Sequence, residues 1–429
     1  MPDGLASRPV PPLAKAETAR PLRVAMFVNE FPALSETFVL NQITGLLDLG
    51  HEVTIFANNP RSEPGTHPDV MRYELYGRVV YRDMPQDKLV RMAMVPEIFA
   101  RRWAHRGTLV KALDPGRYRR EATSLNLLYW ADRLLDREAF DVIHCHFGII
   151  GRQVAFFREI GALSGKLAVT FHGVDMSACL DREPSLYRHL FATGDLFMPI
   201  SDRWHRRLLD HGADPARTFV HRMGIDPFRF QMTERGPARG GIWRILTIGR
   251  MVEKKGIEYG LRAAAMLAGR GVPLRYDIVG DGPLRPRLEA VAHEAGIADR
   301  VFFHGWRVQS EVVDLMRDSD VLLAPSVTDA DGDQEGIPVT LMEAMAMGLP
   351  VVSTQHSGIP ELVTDGRTGY LAPERDVELL AESLHALLRS PNLCREMGFE
   401  GRKKVVGEYN IETLNRQLEA RYRSLLDPA

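Results

Sequence analysis

The feature that most constrains the fold is an alternation of strand-length apolar runs with helix-length patterns, which occurs twice along the 429 residues. In the first half, the run from Arg23 to Asn29 precedes a helical pattern from Glu36 to Leu49 and a second strand from Glu52 to Ala57. The first half also contains predicted strands at Val142 to Cys145, Leu167 to Phe171 and Leu196 to Ile200, and a helix after Asp202 that ends near His211 and Gly212. Strands that alternate with helices form parallel, doubly wound sheets.

The second half repeats the alternation, so we expect a second doubly wound domain and a cleft between the two. Its predicted strands are Arg244 to Ile248, Arg275 to Val279, Val301 to Phe303, Val321 to Ala324 and Pro350 to Ser353. A polar segment rich in proline and glycine separates the halves, as is typical of a linker. The predicted parts are a disordered tail over 1–21, a first domain over 22–226, a linker over 227–241, a second domain over 242–410 and a last helix over 411–429 that can pack back on the first domain.

Composition narrows the class of protein. The net charge of -2 gives no overall attraction to nucleic acid. The three cysteines are far apart and odd in number, which argues against a disulfide framework and a zinc pattern and favours a reducing compartment. No apolar run approaches the ~20 residues that cross a bilayer, and the first residues lack the continuous apolar stretch of a signal peptide. We therefore expect a cytoplasmic protein that is not integral to a membrane.

Two carboxylates, Glu335 and Glu343, stand on either side of a predicted junction between a loop and a helix. Pro338 suits the first helical turn, which puts Glu335 on the loop and Glu343 about two turns inside the helix. The backbone amides between them are free to meet an anion. From spacing alone, a purely structural interpretation explains the pair as well as a binding site does. In that interpretation, Glu335 is a charge at a helix N-terminus and Glu343 lies on a solvated helix face.

Further short motifs follow strands of the second half in order. They are Gly249-Arg250, Glu253 to Gly256, Val279 to Pro283, His304-Gly305, Ser357 to Glu361 and Asp365 to Gly369. Each motif is weak by itself, because glycine-rich turns after strands are common. Together with the E-x7-E pair Glu335 and Glu343, they resemble the retaining family 4 glycosyltransferases, and the resemblance covers nearly the whole chain. It implies the GT-B fold of two Rossmann-like domains, and transfer of a hexose from a UDP- or GDP-linked sugar without a cofactor.

The resemblance also implies roles for single residues. Glu335 is expected to contact hydroxyls of the donor sugar and Glu343 those of the ribose, which suits carboxylates because they accept hydrogen bonds from a vicinal diol. Arg250 and Lys255 are expected to hold the diphosphate in place of a metal ion, with Lys254 facing solvent. His172, structural if judged alone, is expected to orient the sugar. Other donor contacts are expected at Gly249, Gly280, Gly305, Ile337, Pro338, Val339 and Thr340.

Two patterns leave a metal site open as an alternative. Asp331 and Asp333 follow a strand, as the acidic pair does in metal-dependent one-domain transferases, although Arg250 and Lys255 already supply the countercharge. The same stretch fails as a calcium loop, because it lacks the required Gly and Glu. His144 and His146 are spaced as same-face neighbours on a strand, but no third ligand with suitable spacing follows. We expect no metal.

The opening loop predicts the branch of the family. Its Phe-Pro-x-x-Ser-Glu-Thr-Phe pattern over 31–38 resembles the exopolysaccharide and colanic-acid-type branch, which implies a glycan or polyprenyl-diphosphate-linked acceptor. Ser35, Glu36, Thr37 and His146 are expected on the acceptor side. Ser35 is also a candidate helix N-cap, with the helix starting at Thr37.

A basic segment from Lys88 to Arg120 carries nine Lys and Arg residues against Glu97 and Asp114. Apolar side chains are interleaved with these charges, so the segment can lie on an anionic membrane at its inner face, or it can be a solvated helical face. Rival functions on the same architecture are a nucleotide-sugar epimerase and a glycan phosphorylase, and a rival of another class is a non-catalytic partner in polysaccharide assembly.

Overall fold

The computed structural model describes residues 20–33, 36–60, 67–233 and 241–427. Most of the predicted tail, Ser35 and residues 234–240 of the predicted linker lie outside these ranges. The strands are β1 (Arg23–Phe31), β2 (Glu52–Pro60), β3 (Val79–Tyr81), β4 (Val142–His146), β5 (Lys166–Phe171), β6 (Leu196–Pro199), β7 (Trp243–Ile248), β8 (Leu274–Val279), β9 (Val301–Gly305), β10 (Val321–Ala324), β11 (Val351–Thr354) and β12 (Tyr370–Ala372).

The strands form two six-stranded parallel sheets of the same topology. The first sheet has the order β3-β2-β1-β4-β5-β6, and the second has the order β12-β11-β10-β7-β8-β9. The order reverses between β1 and β4 in the first sheet and between β7 and β10 in the second. Ligands of doubly wound sheets bind beyond the carboxyl ends of the strands at such a reversal. The predicted α/β fold class, with two doubly wound sheets, is confirmed.

Helices pack against both sheets. In the first half they are α1 (Thr37–Asp48), α2 (Pro68–Arg72), α3 (Lys88–Arg101), α4 (Arg106–Ala112), α5 (Pro115–Tyr118), α6 (Arg120–Thr123), α7 (Asn126–Leu134), α8 (Gly148–Glu159), α9 (Ala178–Arg182), α10 (Arg188–Thr193) and α11 (Asp202–Asp210). In the second half they are α12 (Ile257–Gly269), α13 (Arg285–Glu294), α14 (Gln309–Asp318), α15 (Val339–Ala346), α16 (Ile359–Leu362), α17 (Val377–Arg389), α18 (Pro391–Glu408) and α19 (Ile411–Leu426).

The last helix crosses from the second sheet to the first. The chain passes between the two halves at Ile225, whose N–H donates to the Tyr409 carbonyl at 3.0 Å and whose carbonyl accepts from Ile411 N–H at 2.9 Å. Helix α19 then buries Leu418 and Tyr422 in the cluster that covers one face of the first sheet. The Tyr422 hydroxyl contacts His144 on β4. Residues at both ends of the chain therefore share one hydrophobic core.

Local structure differs from the predictions in two ways. The sequence did not predict the edge strands β3 and β12, because three residues are too few to show the alternation of apolar and polar residues that marks a strand. Helix α15 begins at Val339, and Pro338 is its N-cap in an extended conformation, outside the first turn. Glu343 is therefore the fifth helical residue, little more than one turn inside.

The interpretation of the basic segment as one helical face is wrong. It forms helices α3 to α6, with Pro96 inside α3. Ile98 is buried and Phe99 packs against the core of the first half. Arg101 and Arg102 form ion pairs with Asp132 at 2.7 and 3.0 Å. Among the helices of the described ranges, none combines the length and the apolar character that a membrane crossing needs.

Candidate active site

Loops from the two sheets meet at the carboxyl ends of β5 and β10. The first loop carries His172 and Gly173, and the second carries Gln334 to Gly336. A Cβ atom on Gly173 would lie 2.8 Å from the Gln334 carbonyl oxygen, and one on Gly336 would lie 3.0 Å from the His172 carbonyl oxygen. Glycine at both positions permits this approach. The predicted site residues of the two halves therefore face one another across a closed gap.

Glu335 and Lys255 form an ion pair, with 3.0 Å between Oε1 and Nζ. Burial of Glu335 opposes its ionisation, but the ammonium groups of Lys255 and Lys254 outweigh burial and lower the pKa of the carboxyl below its usual value. In the described part of the chain, Lys255 is the only cationic group within ion-pair distance of Oε1, and this oxygen has a second lone pair that can accept from a ligand. A Cβ on Gly249 would lie 3.1 Å from Cε of Lys255, so glycine leaves room for this lysine side chain.

Lys254 is not the solvent-facing neighbour that the sequence predicted. Its Nζ lies 2.8 Å from Asp333 Oδ2, and both side chains are mostly buried. Asp329 Oδ1 accepts from the amides of Asp331 and Asp333 at 3.0 and 2.8 Å, which folds the acidic loop on itself. Asp331 lies 3.5 Å from Arg182. Both acidic side chains of the alternative metal pair thus have cationic neighbours, and no group of three or more His, Cys, Asp or Glu in the described ranges is arranged to hold a metal.

Arg250 is an exposed cation at the end of β7, and no side chain in the described ranges pairs with it. Helix α15 begins at Val339, shortly after Glu335 in the chain. No side chain caps the N-terminus of this helix. Its first amides therefore keep the partial positive charge that attracts an anion. Arg250, Lys255 and these amides are the positive groups available to a diphosphate.

Glu343 lies on α15, half-buried and without a side-chain partner among the described residues. Burial alone raises the pKa of Glu343 to about 7. A carboxylate in such a place gains from any ligand that donates hydrogen bonds to it.

The backbone of His172 is held by Asp175, to which the sequence analysis gave no role. Asp175 Oδ1 accepts from the amides of His172 and Gly173, both at 3.0 Å, and Oδ2 accepts from Gly148 N–H at 2.9 Å. Burial nevertheless raises the pKa of Asp175 to about 6. Asp175 thus ties the His172 loop to the first turn of α8. The aspartate that ends the His-Gly-Val-Asp motif was the signal that could have predicted it.

The side chain of His172 contacts a second histidine. His172 Nε2 lies 3.0 Å from His146 Nδ1, and the rings of Phe38 and Phe147 flank it at centroid distances of 4.6 and 4.5 Å. Burial, with His146, holds the pKa of His172 well below its ordinary value, so its imidazole is neutral at pH near 7. His172 Nδ1 is buried and has no partner in the described ranges, which leaves it for a ligand. His146 is itself buried, and its acceptor-side role stays a prediction.

The opening loop lies beside these histidines through Phe38. Helix α1 starts at Thr37, as predicted, but its N-cap is Glu36 rather than Ser35. Ser35 is among the residues that the structure does not describe. Glu36 also lines a small cavity with Phe31, Pro32 and Ala33.

The two remaining glycines shape the backbone beside the site. Gly280 N–H donates to the Gly305 carbonyl at 2.9 Å and so joins the ends of β8 and β9. Gly280 has a φ of 123°, and a Cβ there would lie 2.1 Å from the Gly249 carbonyl oxygen. Only glycine fits this position. Ile337 and Pro338 are buried between Glu335 and α15.

The loop after β11 contains residues whose roles were not predicted. His356 Nε2 accepts from Glu335 N–H at 3.0 Å, and Ser357 Oγ donates to the Glu335 carbonyl at 2.6 Å. Further on, the Glu361 carboxylate accepts from the amides of Asp202 and Arg203 at 2.9 and 3.0 Å, which links it to the first half. A histidine two residues after a buried strand was the available signal.

Two doubly wound domains whose loops meet, with cations and carboxylates beyond the carboxyl ends of their strands, are the arrangement of the GT-B fold. Residues 35–229 match the family model of Glycosyltransferase Family 4, and residues 231–404 match that of Glycosyl transferases group 1.

Relatives cover nearly the whole chain. WcaL of Salmonella typhimurium, named as a colanic acid biosynthesis glycosyltransferase, is 39% identical over 92% of this chain and 98% of its own. AmsK of Erwinia amylovora, an amylovoran biosynthesis glycosyltransferase, is 37% identical over 92% of this chain and 98% of its own. The chain belongs to the group 1 and family 4 glycosyltransferases, and it is a glycosyltransferase.

Solved structures share the fold. HepE of Anabaena, in complex with UDP and glucose, superposes with a TM-score of 0.69 at 15% identity over 94% of this chain and 100% of its own. The sucrose-phosphate synthase of Thermosynechococcus elongatus gives 0.68 at 19% identity over 94% of this chain and 98% of its own.

Proposed function

We propose that this glycosyltransferase moves a hexose from a UDP- or GDP-linked sugar to a glycan or polyprenyl-diphosphate-linked acceptor during exopolysaccharide biosynthesis. The observation that carries the donor class is the Glu335–Lys255 ion pair, in a loop whose Gly336 backbone lies against the His172 carbonyl. The names of WcaL and AmsK support the exopolysaccharide context, and the UDP complex of HepE supports a nucleotide-sugar donor.

Each group has a proposed task. Glu343 accepts from the ribose diol, and the buried Glu335 oxygens accept from hydroxyls of the sugar. Arg250, Lys255 and the amides of α15 stabilise the charge that develops on the departing diphosphate. His172 orients the sugar through its free Nδ1. The pair Glu335 and Lys255 then separates in part when the diphosphate enters, because the lysine gains a second anion.

The proposed reaction retains the anomeric configuration and needs no divalent metal. The bond from the anomeric carbon to the diphosphate oxygen breaks, and the acceptor oxygen bonds to the carbon from the same face. The acceptor proton goes to the departing phosphate, which serves as the base. Because the acceptor oxygen attacks the anomeric carbon directly, no carboxylate nucleophile takes part.

A panel of UDP-glucose, UDP-galactose and GDP-mannose tests the donor class. Purified protein with a lipid-linked acceptor should release free nucleoside diphosphate in proportion to the sugar transferred, an outcome that neither an epimerase nor a phosphorylase gives. Glu335→Gln keeps the shape and removes the charge, so it should keep the thermal midpoint and lose most transfer. Full transfer by the folded variant would contradict the role of Glu335.

We also propose that part of the basic segment rests on the inner face of the cytoplasmic membrane. Leu89, Met92, Trp103 and Val110 are between 61% and 76% exposed. No described carboxylate pairs with Arg106, Lys111, Arg119 or Arg120. Exposed apolar side chains among unpaired cations are the composition that binds an anionic surface.

Cosedimentation with anionic and neutral vesicles tests this surface. Binding to anionic vesicles at low salt, weakened by high salt and by Trp103→Glu with Val110→Glu, is the expected result. Absence of binding at low salt would reject the surface without affecting the donor assay.

A further inference from the structure

The loop after β11 holds Glu335 by both of its backbone polar groups. His356 Nε2 accepts from the Glu335 N–H at 3.0 Å, and Ser357 Oγ donates to the Glu335 carbonyl at 2.6 Å. His356 is fully buried and Ser357 is 9% exposed. Neither side chain is among the groups assigned to the donor. Both act on the residue whose carboxylate is proposed to bind the sugar.

The tautomer of His356 follows from its partners. Because Nε2 accepts a hydrogen bond from an amide, it carries no proton, and the ring proton is on Nδ1. Nδ1 lies 2.6 Å from Glu374 Oε1, which accepts that proton's hydrogen bond. Burial, opposed by this hydrogen bond, lowers the pKa of His356, so the ring stays neutral. A protonated ring would turn a second donor toward the Glu335 amide.

Glu374 is itself fixed by the loop that follows β10. Its carboxylate accepts from the backbone N–H of Thr328 at 2.8 Å and from the Thr328 hydroxyl at 3.1 Å. The ends of β10, β11 and β12 are thus joined through Thr328, Glu374, His356 and Glu335. Such a network fixes a loop more firmly than any single contact.

Ser357 occupies a strained backbone conformation. Its φ is 49°, in the left-handed region, where a residue with a Cβ is disfavoured and glycine is not. Serine at this position is therefore unfavourable for the backbone itself. Its hydroxyl contact to Glu335 is the compensating interaction that the structure offers.

We propose that His356 and Ser357 are positioning residues for transfer, which hold the Glu335 backbone so that its carboxylate meets the donor sugar, and that Glu374 fixes the imidazole. The proposal rests on the proposed role of Glu335 in binding the sugar. It separates two parts of donor recognition. The nucleotide part depends on Glu343, Arg250, Lys255 and the amides of α15, whereas the sugar part depends on this network.

Two substitutions of His356 form a matched pair. In His356→Gln the side-chain oxygen lies near the position of Nε2 and can still accept from the Glu335 amide. In His356→Asn the amide nitrogen lies near the position of Nδ1 and can donate to Glu374, but the side chain is too short for Glu335. Hydrogen exchange of a peptide over 332–341, in which Glu335 lies beyond the two terminal residues that lose their label, reports on the Glu335 amide and needs no substrate.

The expected result is faster exchange at Glu335 and about a ten- to hundredfold lower kcat in His356→Asn, with affinity for free UDP or GDP within about twofold. His356→Gln should keep most of the turnover. The donor is whichever of the three panel sugars the wild-type protein uses. Equal losses in both variants, together with lost diphosphate affinity, would mean a structural role and overturn the proposal. Unchanged exchange and turnover in His356→Asn would also overturn it.

Ser357→Gly distinguishes positioning from stability. Glycine relieves the left-handed φ and removes the hydroxyl, so the thermal midpoint should stay the same or rise while kcat falls. An unchanged kcat in this variant would overturn the role of Ser357. If the wild-type protein turns over none of the sugars, the proposed donor class fails, whereas the exchange measurement still tests the network.

Discussion

Glu343 makes donor binding depend on pH. Its pKa of about 7 arises from burial without a charged partner, so nearly half of the free protein carries a protonated Glu343 at neutral pH. The ribose hydroxyls donate more strongly to the ionised form, whose two charged oxygens both accept, than to the protonated form. If the diol restores an ordinary carboxyl pKa of about 4.3, binding near pH 7 releases about half a proton, and binding near pH 6 releases almost a whole one.

The sign follows from the direction of the shift. The ligand favours the charged form, so affinity is lower below the pKa of the free group and reaches a plateau above it. Between about pH 8 and about pH 6 the affinity should fall about tenfold, which corresponds to about 1.4 kcal/mol.

Titration calorimetry with an intact nucleotide sugar measures this dependence. An intact nucleotide sugar is the right ligand, because its diphosphate is esterified at both ends and does not itself titrate in this range. Repeating the titration in buffers of different ionisation enthalpy counts the released protons. Glu343→Gln is the control, and it should bind weakly with no dependence on pH. Equal wild-type affinity at pH 6 and 8, or the same slope in Glu343→Gln, would refute the reasoning.

Two other outcomes are expected. Lys255→Ala should lower kcat about a hundredfold, the scale for a preorganised transition-state donor, whereas excess EDTA should leave the rate within about twofold. Loss of activity on chelation, with recovery on added magnesium or manganese, would instead favour the pair Asp331 and Asp333. Gly336→Ala puts a Cβ 2.7 Å from Ile200 Cδ1 and should lower kcat/KM at least about tenfold by separating the loops. Gly407→Ala, where a Cβ meets nothing within 4 Å, is the control and should behave as wild type.

The sequence predicted most of the fold because long elements carry periodic signals. Every predicted strand lies at a strand of the structure, although the boundaries differ by up to three residues. The edge strands Val79–Tyr81 and Tyr370–Ala372 could not be predicted, since pairing with a neighbouring strand is what makes three residues a strand. Helix α15 starts one residue after Pro338, which was predicted to lie in its first turn. The fixed φ of proline is compatible with both the helical and the extended conformation, and Pro338 is extended.

The site could be predicted where one motif carried it and not where several loops combine. Glu335, Lys255 and His172 stand in recognisable motifs, and the structure brings them to one gap. The pairing of Lys254 with Asp333 joins loops after β7 and β10, and no local pattern reveals it. The bond between His356 and Glu335 joins loops after β11 and β10 in the same way. Contacts of this kind depend on strand order, which periodicity does not give.

The crossing helix α19 has a consequence for biosynthesis. The first sheet is complete in sequence by Pro199, but Leu418 and Tyr422, which cover one of its faces, lie more than 200 residues later. At about 5 to 20 residues per second, translation takes roughly 10 to 40 s to cover that distance. During this interval the nascent first domain presents uncovered apolar side chains, the kind of surface that chaperones bind. The half that is made first is thus the half that finishes folding last.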